Sequence, residues 1–270
     1  MTLIAVKVLL APSFVVGASL TARRFGARVG GLVAGLPVVA GPIVLAYALA
    51  HGRDFAANAA GGTLLGLVSL IAFVVVYARL APRFPWAASM LAGWLVFIAL
   101  TAVFSALHIP VQVALPLALA TLTAGLLFLL PRAPSLPHSP PPHPSWDLPL
   151  RAGCAAALVL SLTAVAGWLG PQLSGLLAPF PIVATVLAVF THVQRGTGEM
   201  VRLMRGMVGG FAAFALFFFT LAVTLRHIPT GAAFALATSL ALATQGIALV
   251  LLSRRRGPEP IPRLAGEQAR

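Results

Sequence analysis

A gap-free self-alignment constrains this chain more than any other feature. Shifted by 144 positions, residues 7–75 fall on 151–219. GLVAGLP at 31–37 meets GLLAPFP at 175–181. Gly31/Gly175, Ala34/Ala178, Pro37/Pro181, Val39/Val183, Ala40/Ala184, Gly52/Gly196, Gly66/Gly210 and Phe73/Phe217 coincide. Lys7 meets Arg151, but the other basic residues do not correspond. Arg23, Arg24 and Arg28 fall on Gly167, Trp168 and Gln172, while Arg195, Arg202 and Arg205 fall on His51, Asn58 and Gly61. The chain is 60% hydrophobic and only 9% charged, so it is read as a polytopic membrane protein. In such proteins the cytoplasmic loops carry the Lys and Arg. Equivalent loops of opposite basicity therefore predict two repeats inserted upside down relative to each other, a plan common among secondary transporters.

Apolar stretches long enough to span a bilayer core predict an all-α protein of nine spanning helices. They lie near 2–22, 29–50, 56–80, 86–107, 110–130, 151–169, 172–192, 204–225 and 230–252. The domain plan is a first membrane repeat of five helices (1–130), a Pro-rich cytoplasmic linker (131–149), a second repeat of four helices (150–253) and a disordered basic tail (254–270). The linker, PRAPSLPHSPPPHPSWDLP, has extended polyproline character. The motif His-Ile-Pro recurs at 108–110 and 227–229, an offset of 119 rather than 144. The missing 25 residues equal one helix, most simply 86–107. An odd count in the first half inverts the second, although helices 5 and 9 then come out parallel.

With the C-terminus in the cytoplasm, fifteen arginines fall inside, and only Arg53 and Arg226, with Lys7, fall towards the outside. The expected orientation therefore has an extracytoplasmic N-terminus and a cytoplasmic C-terminus. The first helix lacks a basic leader and has a counterpart at 151–169, so it is read as retained rather than cleaved. The net charge of +13 is assigned to topology and anionic lipid, not to nucleic acid. The single cysteine, Cys154, excludes an internal disulfide. No cofactor, metal site or catalytic residue is expected: nucleotide loops, nucleophile elbows, zinc-protease motifs and paired catalytic carboxylates are all absent from the sequence. The five acids, Asp54, Asp147, Glu199, Glu259 and Glu267, all fall outside the middles of predicted helices. Carboxylate-based proton or cation coupling therefore has no obvious carrier.

Predicted helices 2 and 7 carry the candidate binding residues. Helix 2 holds Gly35, Pro37, Gly41 and Pro42, and helix 7 holds Pro179 and Pro181. Proline removes a backbone donor and glycine permits close backbone approach. Paired interruptions at equivalent places in inverted repeats point to a midplane substrate site, with tight small-residue packing as the alternative. Lys7 and Arg151, at opposite faces, are candidate gates or anion hooks, or snorkelling side chains. Asp54 and Glu199 each open a helix, where they complement its dipole or pair with Arg53 or Arg195.

Gly175-Leu176, Phe180-Pro181, thirteen intervening residues and Arg195-Gly196 resemble the pattern of the GlpM family of small bacterial inner-membrane proteins. The resemblance covers about 175–252. The first half departs from it, with Leu36-Pro37 and His51-Gly52 in place of Phe-Pro and Arg-Gly. The whole chain then looks like a fused, diverged pair of such units, and the resemblance implies a bacterial inner membrane location and a loose link to envelope polysaccharide production. The functional expectation is a non-enzymatic transporter or exporter of a small anionic or neutral metabolite or lipid-linked group. Its partners are the bilayer and a small-molecule substrate; homo-oligomerisation stays open. The alternative is a non-transporting scaffold for an envelope assembly complex.

Overall fold

The computed structural model describes residues 2–107, 109–132, 144–176 and 180–254, with side chains given for 9–107, 109–132, 144–161 and 180–252. Most of the linker, Pro179 and the tail after Arg254 lie outside the described residues. Every regular element among them is helical: α1 (Thr2–Phe25), α2 (Ala27–Ala34), α3 (Ala40–His51), α4 (Arg53–Leu80), α5 (Trp86–Ala106), α6 (Val111–Ala124, continued by a π turn Gly125–Leu129), α7 (Asp147–Leu176), α8 (Ile182–Thr224) and α9 (Thr230–Arg254). The fold is an all-α, membrane-type bundle. Among the described residues, five helices are long and apolar enough to cross a bilayer: α4, α5, α6 with its π turn, α8 and α9.

The repeat is visible in the backbone. Gly52 (φ 89°, ψ 170°) turns α3 into α4 in a single residue, and Gly196 (φ 78°, ψ 175°) breaks α8 into 182–195 and 197–224. These two glycines are equivalent at the 144-residue offset, and both occupy a region of backbone space essentially closed to other residues. The second part of α8 is then the counterpart of α4, end for end.

The inversion follows from which ends meet. Arg226, just past α8, hydrogen-bonds Asn58 near the start of α4 (2.6 Å). Tyr77, near the end of α4, meets His192 just before Gly196 (3.3 Å). Equivalent helices α4 and 197–224 are therefore antiparallel. So are α1 and α7, because Arg23 at the end of α1 pairs with Asp147 at the start of α7 (2.6 Å). Helices α4 and α8 form the buried centre, while α5, α6 and α9 are largely exposed along their apolar lengths. Leu91, Leu95, Ile98, Leu127, Phe128, Leu242 and Ile247 face outward, as expected of a lipid-facing surface.

Two expectations are corrected. The extra helix is α6, not 86–107. The 144-residue offset runs on without a gap: Leu80 meets Thr224, the loops 81–85 and 225–229 have equal length, Pro85 meets Pro229, and α5 and α9 start in register. The buried stripe of α5 (Ser89, Gly93, Phe97, Thr101) falls on that of α9 (Ala233, Ala237, Ala241, Gln245). Each packs reciprocally on the broken helix of the other repeat: Trp94 donates to Thr185 (3.0 Å), and Gln245 donates to the Leu32 carbonyl (2.5 Å). The inversion thus covers four helices in each repeat, with α6 as the connecting crossing. Predicted helix 2 is also not continuous, since residues 35–39 interrupt it between α2 and α3.

Arginines close one end of the bundle. Arg79 donates to the Leu129 and Phe128 carbonyls, and Arg205 to those of Leu126, Leu130 and Pro131. They satisfy carbonyls that the end of α6 would leave without partners. Arg23, Arg151 and Arg195 lie at this same end; Arg53 and Arg226 lie at the other.

Candidate functional site

The two breaks meet at the centre. Residues 34–40 of the first repeat and 180–184 of the second face each other across an apolar cavity of about 80 Å³. Its lining includes four pairs related by the repeat: Leu36/Phe180, Val39/Val183, Ala40/Ala184 and Leu70/Phe214. A cavity lined by equivalent residues of inverted repeats sits on their pseudo-twofold axis. Phe14, Met207 and Phe211 complete much of the wall. Phe180 is wedged between Trp94 and Phe97, with ring centroids 5.3 and 5.5 Å away.

The helices around this cavity approach through glycine. Gly31 on α2 with Gly35 at its C-terminal cap, and Gly206 with Gly210 on α8, form two Gly-x-x-x-Gly motifs that face each other. A Cβ on Gly35 would stand 2.7 Å from the Met207 carbonyl oxygen and 2.8 Å from Gly210 Cα. One on Gly206 would collide with the Arg28 carbonyl. Small residues at such crossings let backbones touch, which is a main source of helix association in lipid.

A polar cluster lies beside the cavity. Asp147 is fully buried and accepts from three helices' side chains: Arg23 Nη2 (2.6 Å), Arg151 Nε (2.8 Å) and Gln194 Nε2 (2.6 Å). Arg151 is also buried, with its guanidinium 5.0 Å from the centre of the Phe190 ring. Ser19, Arg23, Arg151, Thr191 and Arg195 line a pocket of about 20 Å³ here, the size of a single water or one oxygen of a ligand. Two polar atoms in it, Ser19 Oγ and Arg23 Nε, are buried without a partner among the described residues. Buried polar groups are nearly always hydrogen-bonded, so these two require a reason.

The predicted site residues divide. Pro181 lines the cavity and precedes α8. Gly35 packs against Gly210, and a Cβ added at Gly41 would stand 3.2 Å from the Phe217 ring. Pro37 and Pro42 shape the break and the first turn of α3 without lining the cavity. Arg151 does not snorkel; it is held inside the bundle by Asp147. Lys7 lies within α1, and its side chain is outside the described residues, as is Pro179. Asp54 is 3.7 Å from Arg226 rather than paired with Arg53, and Glu199 is 2.6 Å from Arg202 while also attracting Arg195.

Sequence reasoning missed Asp147, Ser19 and Gln245. Asp147 was assigned to the linker, yet α7 starts there. The available signal was its i,i+4 spacing to Arg151, a favourable helical ion pair. No family model matches the chain, and no curated protein or solved structure matches it.

Proposed function

We propose that this is a small inverted-repeat transporter of the bacterial inner membrane, moving a small anionic or neutral metabolite or a lipid-linked group. The observation that carries this reading is the cavity at the meeting of the two broken helices, lined by repeat-related pairs. Breaks at equivalent points in inverted repeats are where secondary transporters hold substrate, and rocking of one repeat against the other would expose such a site alternately. The arginine-rich end is assigned to the cytoplasm by the positive-inside rule. That puts the C-terminus inside and the N-terminus outside. The kinship with GlpM-type proteins, as a fused pair of units, is part of the same proposal.

The test is solute flux. Purified protein in proteoliposomes is supplied with labelled sugar phosphates, nucleotide sugars, organic acids and amino acids. A transporter moves at least one of them, and Ala184→Leu, which fills the cavity, abolishes that flux at unchanged protein abundance. Ala40→Val serves as a milder filling of the same space. Absence of flux across the panel, with both variants fully active in cells, would favour the envelope-assembly scaffold.

A further inference from the structure

The cavity and the polar pocket are neighbours on the same helices. From cavity to pocket runs Phe14 to Ser19 on α1, Ala184 to Leu187 and Thr191 in the first part of α8, and Met207 back to Leu203 in the second. All three run towards the arginine-rich end. At a rise of ~1.5 Å per residue, the offset between the two spaces is roughly 5–10 Å. The pocket receives donors from three helices: Ser19 and Arg23 at i,i+4 on α1, Arg151 on α7, and Thr191 and Arg195 at i,i+4 on α8. Three guanidinium groups surround it, against one buried carboxylate, Asp147. Glu199 pairs with Arg202 and also attracts Arg195, so Arg23 and Arg151 are the cations the pocket depends on.

We propose that the substrate is a short-chain organic anion. One oxygen of its carboxylate or phosphate head seats in the water-sized pocket against Ser19, Arg23 and Arg151, and its apolar body occupies the cavity between Leu36 and Phe180. This rests on the transporter reading and names its substrate class. Ser19 Oγ and Arg23 Nε, buried and unpartnered, supply the donors that an oxyanion would satisfy. Asp147 holds the other edge of Arg23 and orients Arg151, so the cationic groups are preorganised while one charge is compensated. The apolar space of about 80 Å³ is about half the ~150 Å³ that admits benzene in an engineered cavity, which suits a body of a few carbons. A long lipid chain does not fit within it.

The experiment uses full-length protein in detergent, with butyl phosphate, butyrate, inorganic phosphate and butanol as probes of thermal stability. Butyl phosphate or butyrate is expected to give a saturable rise in melting temperature, inorganic phosphate to bind at least about tenfold more weakly, and butanol to have no effect. Ser19→Ala should weaken the alkyl anion about tenfold, the scale of one hydrogen bond to a charged group. Arg23→Gln should do at least as much while leaving Asp147 with Arg151. Ala184→Leu should erase the preference for the alkyl anion over inorganic phosphate. A shift unaffected by Ser19→Ala and Arg23→Gln, or none with any anion, overturns the inference. A shift with phosphatidylglycerol micelles but none with the short anions also overturns it. Binding of the expected pattern without flux of labelled butyl phosphate would keep the site and sink the transporter reading. Flux of an uncharged solute, blocked by Ala184→Leu without anion binding, would do the reverse.

Discussion

Replacing Asp147 by asparagine preserves the shape of the cluster and removes its only negative charge. The native carboxylate holds Arg151 at 2.8 Å, Arg23 at 2.6 Å and Gln194 at 2.6 Å. An amide has one acceptor oxygen, so at least one guanidinium must face its NH2 group. Arg151 carries most of the consequence because its side chain is 5% exposed; Arg23 is 23% exposed and partly solvated. Removing one partner of a buried ion pair costs about 3–5 kcal/mol, and Arg23's exposure places Asp147→Asn near the lower end, about 3 kcal/mol. The assay is equilibrium unfolding in mixed detergent micelles, followed by tryptophan fluorescence. Arg151→Met and the double variant complete a double-mutant cycle. Each single variant should be strongly destabilised and the double variant less so than their sum, because no charge is then stranded between α7 and its neighbours. A coupling of at least about 1.5 kcal/mol is expected for residues in one network. Single effects within about 0.5 kcal/mol of wild type, the range of ordinary surface changes, or strict additivity, would refute this account of the cluster.

Other positions respond in ways the structure fixes. Gly52→Ala and Gly196→Ala should each destabilise by about 1–3 kcal/mol and by similar amounts, since both carry the same backbone strain with open space around the added methyl group; thermal melting in detergent compares them. Gly35→Ala drives a methyl into the Met207 carbonyl and Gly210 and should cost about 1–3 kcal/mol as an overpacked contact. Gly62→Ala, which meets nothing within 4 Å, should change the melting temperature little. Gln245→Leu removes the donor to the Leu32 carbonyl and should lower stability by about 1 kcal/mol, the scale measured for polar contacts between membrane helices.

Much of the architecture was legible because glycine and proline leave marks that apolar filler does not. Gly52 and Gly196 fell in register at one offset, and both turn the chain in a conformation that only glycine tolerates. The breaks at 35–39 and before Pro181 were readable for the same reason. The identity of the extra helix was not. The stripe Ala114, Ala118 and Leu122 of α6 matches α9 at an offset of 119 in the same phase as Ser89, Gly93 and Phe97 of α5 match it at 144. Small residues spaced four apart align with either, and only the direction of packing separates them. At the site, proline positions marked the bend but not the cavity wall, which is made by the larger neighbours Leu36 and Phe180. Asp147 was hidden by its proline-rich flank. Its burial depends on Arg23, 124 positions away in sequence, a pairing that local pattern cannot supply.

Everything functional proposed for this protein depends on its two repeats crossing the bilayer in opposite senses. Single cysteines at Asn58 and Ser145, each in a Cys154→Ser background, place one thiol at either end of the bundle. Labelling of intact cells with a membrane-impermeant thiol reagent should modify N58C directly and S145C only after permeabilisation. Equal labelling of both in intact cells would contradict the inverted arrangement and the transporter reading built on it, and the reverse pattern would overturn the cytoplasmic assignment of the arginine-rich end.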